Sequence, residues 1–147
     1  GGSAARPHLR PPRPGHDGDG EQARCFDAVA ARLVAGGRFV VEAFVPADPP
    51  PSGDVVGIRT MAADRVVLSL TRNDPDRSAA SGQFVELTES GGVRLRPWSI
   101  RYATPSELDA HAAAAGFTVE HRWEQFTRDP FDAGSPRHVT VYRLAIA

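Results

Sequence analysis

The chain has 147 residues, 41% of them hydrophobic and 24% charged, which is enough for one domain with its own core. The formal net charge of −1 gives no electrostatic basis for nucleic-acid binding, and no apolar run reaches membrane-spanning length. A single cysteine, Cys25, excludes an internal disulfide.

Residues 1–20, "GGSAARPHLRPPRPGHDGDG", hold only one large aliphatic residue, Leu9. Such a segment buries too little apolar surface to offset its ordering entropy, so a disordered tail is expected. It has no apolar core of a signal peptide, and a cytoplasmic location is the default. An Arg/Pro/Gly-rich run meeting a patterned helix so abruptly is also what an out-of-frame GC-rich segment would encode. At its end, "GHDGDGE" imitates an acidic, glycine-spaced cofactor loop. Such a loop must follow a buried strand, and the proline-arginine run before it cannot be one.

From Glu21 the pattern changes. Phe26, Val29, Ala30 and Leu33 fall at i, i+3, i+4 and i+7, one apolar stripe of a helix, with Cys25 expected as a small buried residue. Gly36 and Gly37 are placed to stop it. "RFVVEAFV" then reads as a strand apolar on both faces, as in the middle of a covered sheet, ended by Pro46. "VVGIRT", "RVVLSLTRN", "GQFVELTE" and "VRLRPWSIRYA" follow, joined by short turn-rich links. Short links imply antiparallel pairing, and a three- or four-stranded meander is predicted. In "TPSELDAHAAAAGF", Thr104 caps a helix, Pro105 begins it, Glu107 completes a capping box and Gly116 stops it. Leu108, Ala112 and Ala115 form its inward face. "TVEHRWEQF" and "RHVTVYRLA" are two closing strands, separated by a loop too long for a tight hairpin.

These residues resemble a family. "CFDAVAARLVAGGRFVVEAFVP" is similar to the helix and fifth strand of class I S-adenosylmethionine-dependent methyltransferases, with alanine in "LVAGG" where proline is common. "IRYATPSELDAHAAAAGF" resembles the segment after that strand, and "TVEHRW" and "RHVTVYRL" the family's last two strands. The β-rich insert resembles that of the subgroup acting on small molecules, amino-sugar N-methyltransferases among them. The resemblance covers residues 21–147. It implies an α/β fold, the C-terminal part of a Rossmann-like methyltransferase sheet with an antiparallel β insert. Its parts are a helix and central strand (21–46), a substrate insert (54–103), and a helix with closing strands (104–147). It also implies that the family's cofactor loop and ribose-binding carboxylate lie outside these residues. S-adenosylmethionine is then the family's cofactor, with no binding and no activity expected of this chain alone. The other reading is a stand-alone α+β ligand-binding or interaction module.

In open α/β sheets, ligands bind beyond the C-terminal ends of the strands. On that rule Glu42 is a candidate for holding a substrate amine or hydroxyl. Arg101 and Tyr102, a cation and a phenol at a strand end, are candidates for an anionic or hydroxylated group. Trp98 and Trp123 are candidate pocket walls. His138, at the mouth of the last strand, is the candidate base. His121 and His138 lack a third ligand, so no metal is expected. Without its neighbours, strand 38–45 should be a sheet edge prone to self-association, with Phe39, Val41 and Phe44 partly wet. Val41→Lys would then improve solubility.

Overall fold

The computed structural model describes residues 18–146. The expected tail lies mostly outside the described residues, but its last three residues are helical. Helix α1 spans Gly18–Ala30. Helical hydrogen bonds run on to Leu33 N–H, which donates to Val29 O (3.0 Å), and Gly37 N–H closes a separate turn on Val34 O (2.9 Å). Gly36 has a φ of +76°. Its N–H donates to Leu144 O (3.1 Å), and Leu144 N–H donates back to Gly37 O (2.9 Å). The left-handed turn thus starts the chain alongside the last strand, a conformation that glycine adopts without steric cost.

Strand β1 is Arg38–Phe44. The meander follows as β2 (Gly53–Met61), β3 (Arg65–Asp74), β4 (Ala79–Thr88) and β5 (Val93–Arg101). Helix α2 is Pro105–Ala114, and β6 (Phe117–Trp123) and β7 (Arg137–Leu144) close the chain. The strands form two sheets, ordered β1-β7-β6 and β2-β3-β4-β5, with every pairing antiparallel. The meander has four strands, and β3 and β4 run on to a short 3-10 turn at Pro75–Arg77. Half of the expected link "DPDRSAAS", Asp74 and Ala79 to Ser81, is therefore strand.

The sequence logic of α2 holds in detail. Thr104 Oγ1 accepts from Glu107 N–H (3.2 Å) and Glu107 Oε2 accepts from Thr104 N–H (2.8 Å). Leu108 and Ala112 are buried, with Ala115 packed beside them.

Both helices cover the same face of the three-stranded sheet. Phe26 of α1 meets the rings of Phe39, Phe117 and Tyr142 edge-on, with centroids 5.5, 6.0 and 5.3 Å away. Each such pair adds about 0.5–1.5 kcal/mol beyond area burial. Cys25, expected inside, is exposed one position off this stripe. Strand β1 is covered on one face only. Phe39, Val41 and Ala43 pack on the helix side, whereas Val40 and Phe44 are exposed on the other, which Glu42 shares. Among the described residues, β1 pairs with β7 alone and its outer edge meets no strand. Its doubly apolar sequence is thus that of a strand whose second face and second edge are uncovered here.

Candidate functional site

The C-terminal end of β1 coincides with the start of β7 and the end of β6, because the three strands alternate in direction. Side chains directly opposite each other share a face. Glu42 lies opposite Val139, and Val139 lies opposite Trp123. Glu42 and Trp123 therefore stand two strand spacings apart, about 10 Å, on the helix-free face. One row away, Val40 and His121 flank Val141. The His121 ring stacks on Trp123, with centroids 5.0 Å apart and planes at 14°, and the Arg128 guanidinium lies 5.3 Å from the Trp123 ring centre. These two neighbours hold the indole in place.

Phe44 carries this face toward the meander. Its ring lies 6.2 Å from that of Tyr102. Alternation along β5 puts Tyr102 on the same side as Trp98, whose ring lies 6.0 Å from Phe84. Gly82, opposite both Thr71 and Trp98, makes room for that indole. A Cβ there would lie 2.9 Å from Trp98 Cζ2 and 1.9 Å from Leu70 O. The Arg59 guanidinium sits 5.5 Å from the Phe84 ring centre. Tyr102 Oη and Trp98 Nε1 are buried with no hydrogen-bond partner among the described residues. A buried hydroxyl or indole N–H without a partner costs on the order of 1–3 kcal/mol, so both are atoms that a ligand or a further covering segment would satisfy.

Glu42, Tyr102 and Trp123 thus come to one end of the sheet, joined by Phe44, which the sequence alone does not mark as a site residue. Arg101 does not join them. It is the neighbour of Tyr102 at the end of a strand, so the two side chains leave opposite faces. Arg101 Nη1 donates to Arg77 O (3.1 Å), which fastens the 3-10 turn.

His138 is also apart, fully buried on the helix side opposite Ala43. A polar chain fixes it there. Arg122 donates to both oxygens of Asp109 (2.5 and 3.2 Å), and Tyr142 Oη donates to Asp109 Oδ1 (2.8 Å). Arg122 Nε donates to Thr140 Oγ1 (2.8 Å), which lies 2.8 Å from His138 Nδ1. Thr140 is itself fully buried, so its hydroxyl hydrogen needs an acceptor. Nδ1 is the acceptor in reach, which leaves the imidazole proton on Nε2. Burial, and then the Arg122 charge, hold His138 below the usual histidine range. Burial, reinforced by the hydrogen bond and charge of Asp109, pushes the Tyr142 phenol well above the usual range. Burial is the strongest single influence on Arg122 and lowers it, but the hydrogen bonds and charge of Asp109, with Tyr142, together outweigh it and raise Arg122. His138 Nε2 itself is buried with no hydrogen-bond partner among the described residues, and Nδ1 is engaged by Thr140. Asp109, Arg122 and Tyr142 are not singled out by any sequence motif. The signal available was an Asp beside the inward Leu108, at helical spacing from Ala112.

His121 and His138 lie on opposite faces of the sheet, and among the described residues no three His, Cys, Asp or Glu side chains gather as metal ligands. No helix among them is long and apolar enough to cross a membrane. The described residues do not fit S-adenosylmethionine. The fold family's site needs a glycine-rich turn after a parallel strand, and every pairing here is antiparallel. The N-terminus of α2 is closed by its own capping box.

No family model and no curated protein matches the chain. Solved structures do. The CcbJ methyltransferase from Streptomyces caelestis is 37% identical, with a TM-score of 0.81, over 88% of this chain and 55% of that one. An S-adenosylmethionine-dependent methyltransferase from Clostridium acetobutylicum is 10% identical with a TM-score of 0.71, over 86% of this chain and 52% of that one. CalS10, an amino pentose methyltransferase from Micromonospora echinaspora, is 18% identical with a TM-score of 0.58, over 85% of this chain and 51% of that one. The chain spans about half the length of the methyltransferases it matches. With strand order β1-β7-β6 and a four-stranded insert, the chain has the fold of the S-adenosylmethionine-dependent methyltransferases over the half of their length that it spans, consistent with their C-terminal half.

Proposed function

We propose that the chain supplies the acceptor side of a methyltransferase acting on a small, amine-bearing molecule. The observation that carries this is the grouping of Glu42, Phe44, Tyr102 and Trp123 at the C-terminal end of β1, beside an open strand edge. Aromatic faces pack on the C–H faces of a small ring, while a carboxylate pairs with an ammonium or accepts from a hydroxyl. The likeness to an amino pentose methyltransferase supports an amino sugar as acceptor. Holding and orienting the acceptor is the task these residues can do, and His138, on the other face, has no part in it.

The cofactor side belongs to strands that add to the open edge of β1, from a longer polypeptide or from a second chain. Without them that edge, 38–45, is free to pair with another copy. S-adenosylmethionine binding is accordingly a property of the completed sheet, and a cytoplasmic enzyme is the setting that goes with it. The module reading draws on one observation: β7 is buried along Val139–Tyr142 on both faces, so this half has a core of its own.

Calorimetry separates these. The chain alone should give no heat with S-adenosylmethionine, whereas the chain combined with the unmatched part of CcbJ should bind it at micromolar concentration. In that assembly, Glu42→Gln and Trp123→Ala should each lower methyl transfer to amino-sugar acceptors by about tenfold or more, the loss of one charge-assisted or stacking contact. Saturable micromolar binding by the chain alone would overturn the division between halves. Unchanged turnover in both variants would overturn the acceptor site.

A further inference from the structure

The acceptor site proposed above straddles two sheets, and we infer that the turn at 75–78, clamped by Arg101, is a positioning device for Tyr102. Glu42 and Trp123 stand on the three-stranded sheet, whereas Trp98 lies on β5 and Tyr102 directly follows it. Among the described residues no strand pairing joins the two sheets. The β4–β5 ladder ends with Ala79 opposite Arg101, one residue short of Tyr102. The next residue, Ala103, is buried in the core with Phe26 of α1 and Leu108 of α2. Tyr102 is thus the joint at which the chain leaves the meander and enters the core of the other sheet.

The tip of the β3–β4 hairpin holds that joint. Tyr102 N–H donates to Ser78 O (2.9 Å), and Arg101 Nη1 donates to Arg77 O (3.1 Å). Two consecutive carbonyls of the turn are tied to two consecutive residues of the chain, one through backbone and one through a side chain. The turn is built to present them. Pro75 fixes φ at its start, Asp74 Oδ1 accepts from Arg77 N–H (3.3 Å), and Ser78 N–H donates to Pro75 O (3.1 Å). Ser78 leaves the turn in the left-handed region, with φ and ψ both 48°, an uncommon state for a residue with a Cβ. Such a conformation persists where the surrounding bonds over-determine it, and here they end on Tyr102. Tyr102 Oη is buried without a partner among the described residues, and its ring lies 6.2 Å from that of Phe44. A hydrogen bond weakens steeply once its geometry is lost, so this hydroxyl serves a ligand only if its backbone is fixed. Arg101 faces away from the site and acts on the acceptor through Tyr102. The functional half of this inference rests on the acceptor reading above.

Amide hydrogen exchange on the chain alone tests the clamp. Arg101→Met keeps an unbranched stem and removes the donor. Ser78→Val keeps Arg101 and disfavours the left-handed residue. Each should speed exchange of the Tyr102 amide by about tenfold or more, the loss of roughly one hydrogen bond, and Arg101→Lys, which still donates, should restore it. The Leu144 amide, bonded to Gly37 O (2.9 Å) in the other sheet, should not change. An unchanged Tyr102 amide in both variants would overturn the proposal. So would a Leu144 amide that speeds up equally, the mark of general loosening. In the assembly with the unmatched part of CcbJ, with an amino pentose as acceptor, Arg101→Met should raise KM about tenfold and leave kcat within about twofold. In a Tyr102→Ala background the same substitution should add less than about twofold, and full additivity there would overturn the route through Tyr102. Failure of the acceptor reading would look different: an unchanged KM in Tyr102→Ala, beside a Tyr102 amide that still answers to Arg101.

Discussion

Removing the carboxylate at Asp109 should cost about 3 kcal/mol of folding stability. Asp109→Ala takes away the acceptor of Tyr142 Oη, on a fully buried side chain, and an orphaned buried hydroxyl costs about 1–3 kcal/mol. It also strips Arg122 of both its carboxylate bonds. Breaking a wholly buried ion pair costs roughly 3–5 kcal/mol, but this pair keeps 18% of the Arg122 side chain and 33% of the Asp109 side chain exposed. Water reaches the freed guanidinium, so the low end applies and the sum stays near ~3 kcal/mol rather than ~6. Against a total of about 5–15 kcal/mol, urea unfolding will resolve this as a lower midpoint at constant slope. The triple variant Asp109→Leu, Arg122→Met and Tyr142→Phe removes all three partners together and should return to within about 1 kcal/mol of wild type. A loss under about 0.5 kcal/mol for Asp109→Ala, or a triple variant as weak as the single one, would refute the network as the tie between α2 and the sheet.

Three further outcomes follow from the same geometry. The folded Tyr142 phenol ionises above its unfolded value near 10, so its contribution is complete below pH ~10 and declines as pH rises beyond it; urea midpoints should fall there in wild type and not in Tyr142→Phe. His138 ionises below its unfolded value near 6.5, so the unfolded chain takes the proton first; stability should fall as pH drops below ~6.5, and His138→Gln should flatten that slope. Gly82→Ala puts a Cβ against Leu70 O and the Trp98 indole and should cost about 1–3 kcal/mol by thermal unfolding, with a change in tryptophan fluorescence; an unchanged spectrum and midpoint would remove the close approach.

The fold was legible wherever periodicity and capping agreed. Thr104-Pro105 with Glu107 specifies a helix start by local hydrogen bonds alone, and the structure places α2 there. The turn residues between the β runs indicate the meander for the same reason: Gly91 and Gly92 both hold positive φ at the β4–β5 turn. Sequence and structure part where tertiary contacts decide. Gly36 and Gly37 have the chemistry of a helix stop, and Gly37 N–H does turn back to Val34 O (2.9 Å), yet Gly36 N–H and Gly37 O pair with Leu144, at the far end of the chain. Nothing local encodes that choice. At the site, strand alternation is sufficient to separate Arg101 from Tyr102. The grouping of Glu42 with Trp123 needs the register of β1 and β6 on β7, which depends on strand order. The Asp109–Arg122–Tyr142 network joins three elements, and its members look like ordinary surface residues until those elements pack.

The uncovered edge of β1 gives the last prediction, and the structure changes which residue tests it. A strand apolar on both faces points to Val41 as readily as to Val40. Alternation puts Val41 and Phe39 on the helix side and Val40 and Phe44 on the open side. Val41→Lys would bring an ammonium onto the face packed by α1, losing up to the roughly 1.5–3 kcal/mol of a buried aliphatic side chain whether or not the edge is free. Val40→Lys places its charge on the open face, where it costs little and still hinders another strand from adding to the edge. The two variants should therefore diverge. Val40→Lys should keep the wild-type unfolding midpoint and suppress association in light scattering. Val41→Lys should lower the midpoint. Equal midpoints for the two would mean that β1 is not covered on one face alone. A wild-type scattering profile for Val40→Lys would mean that its edge is already satisfied.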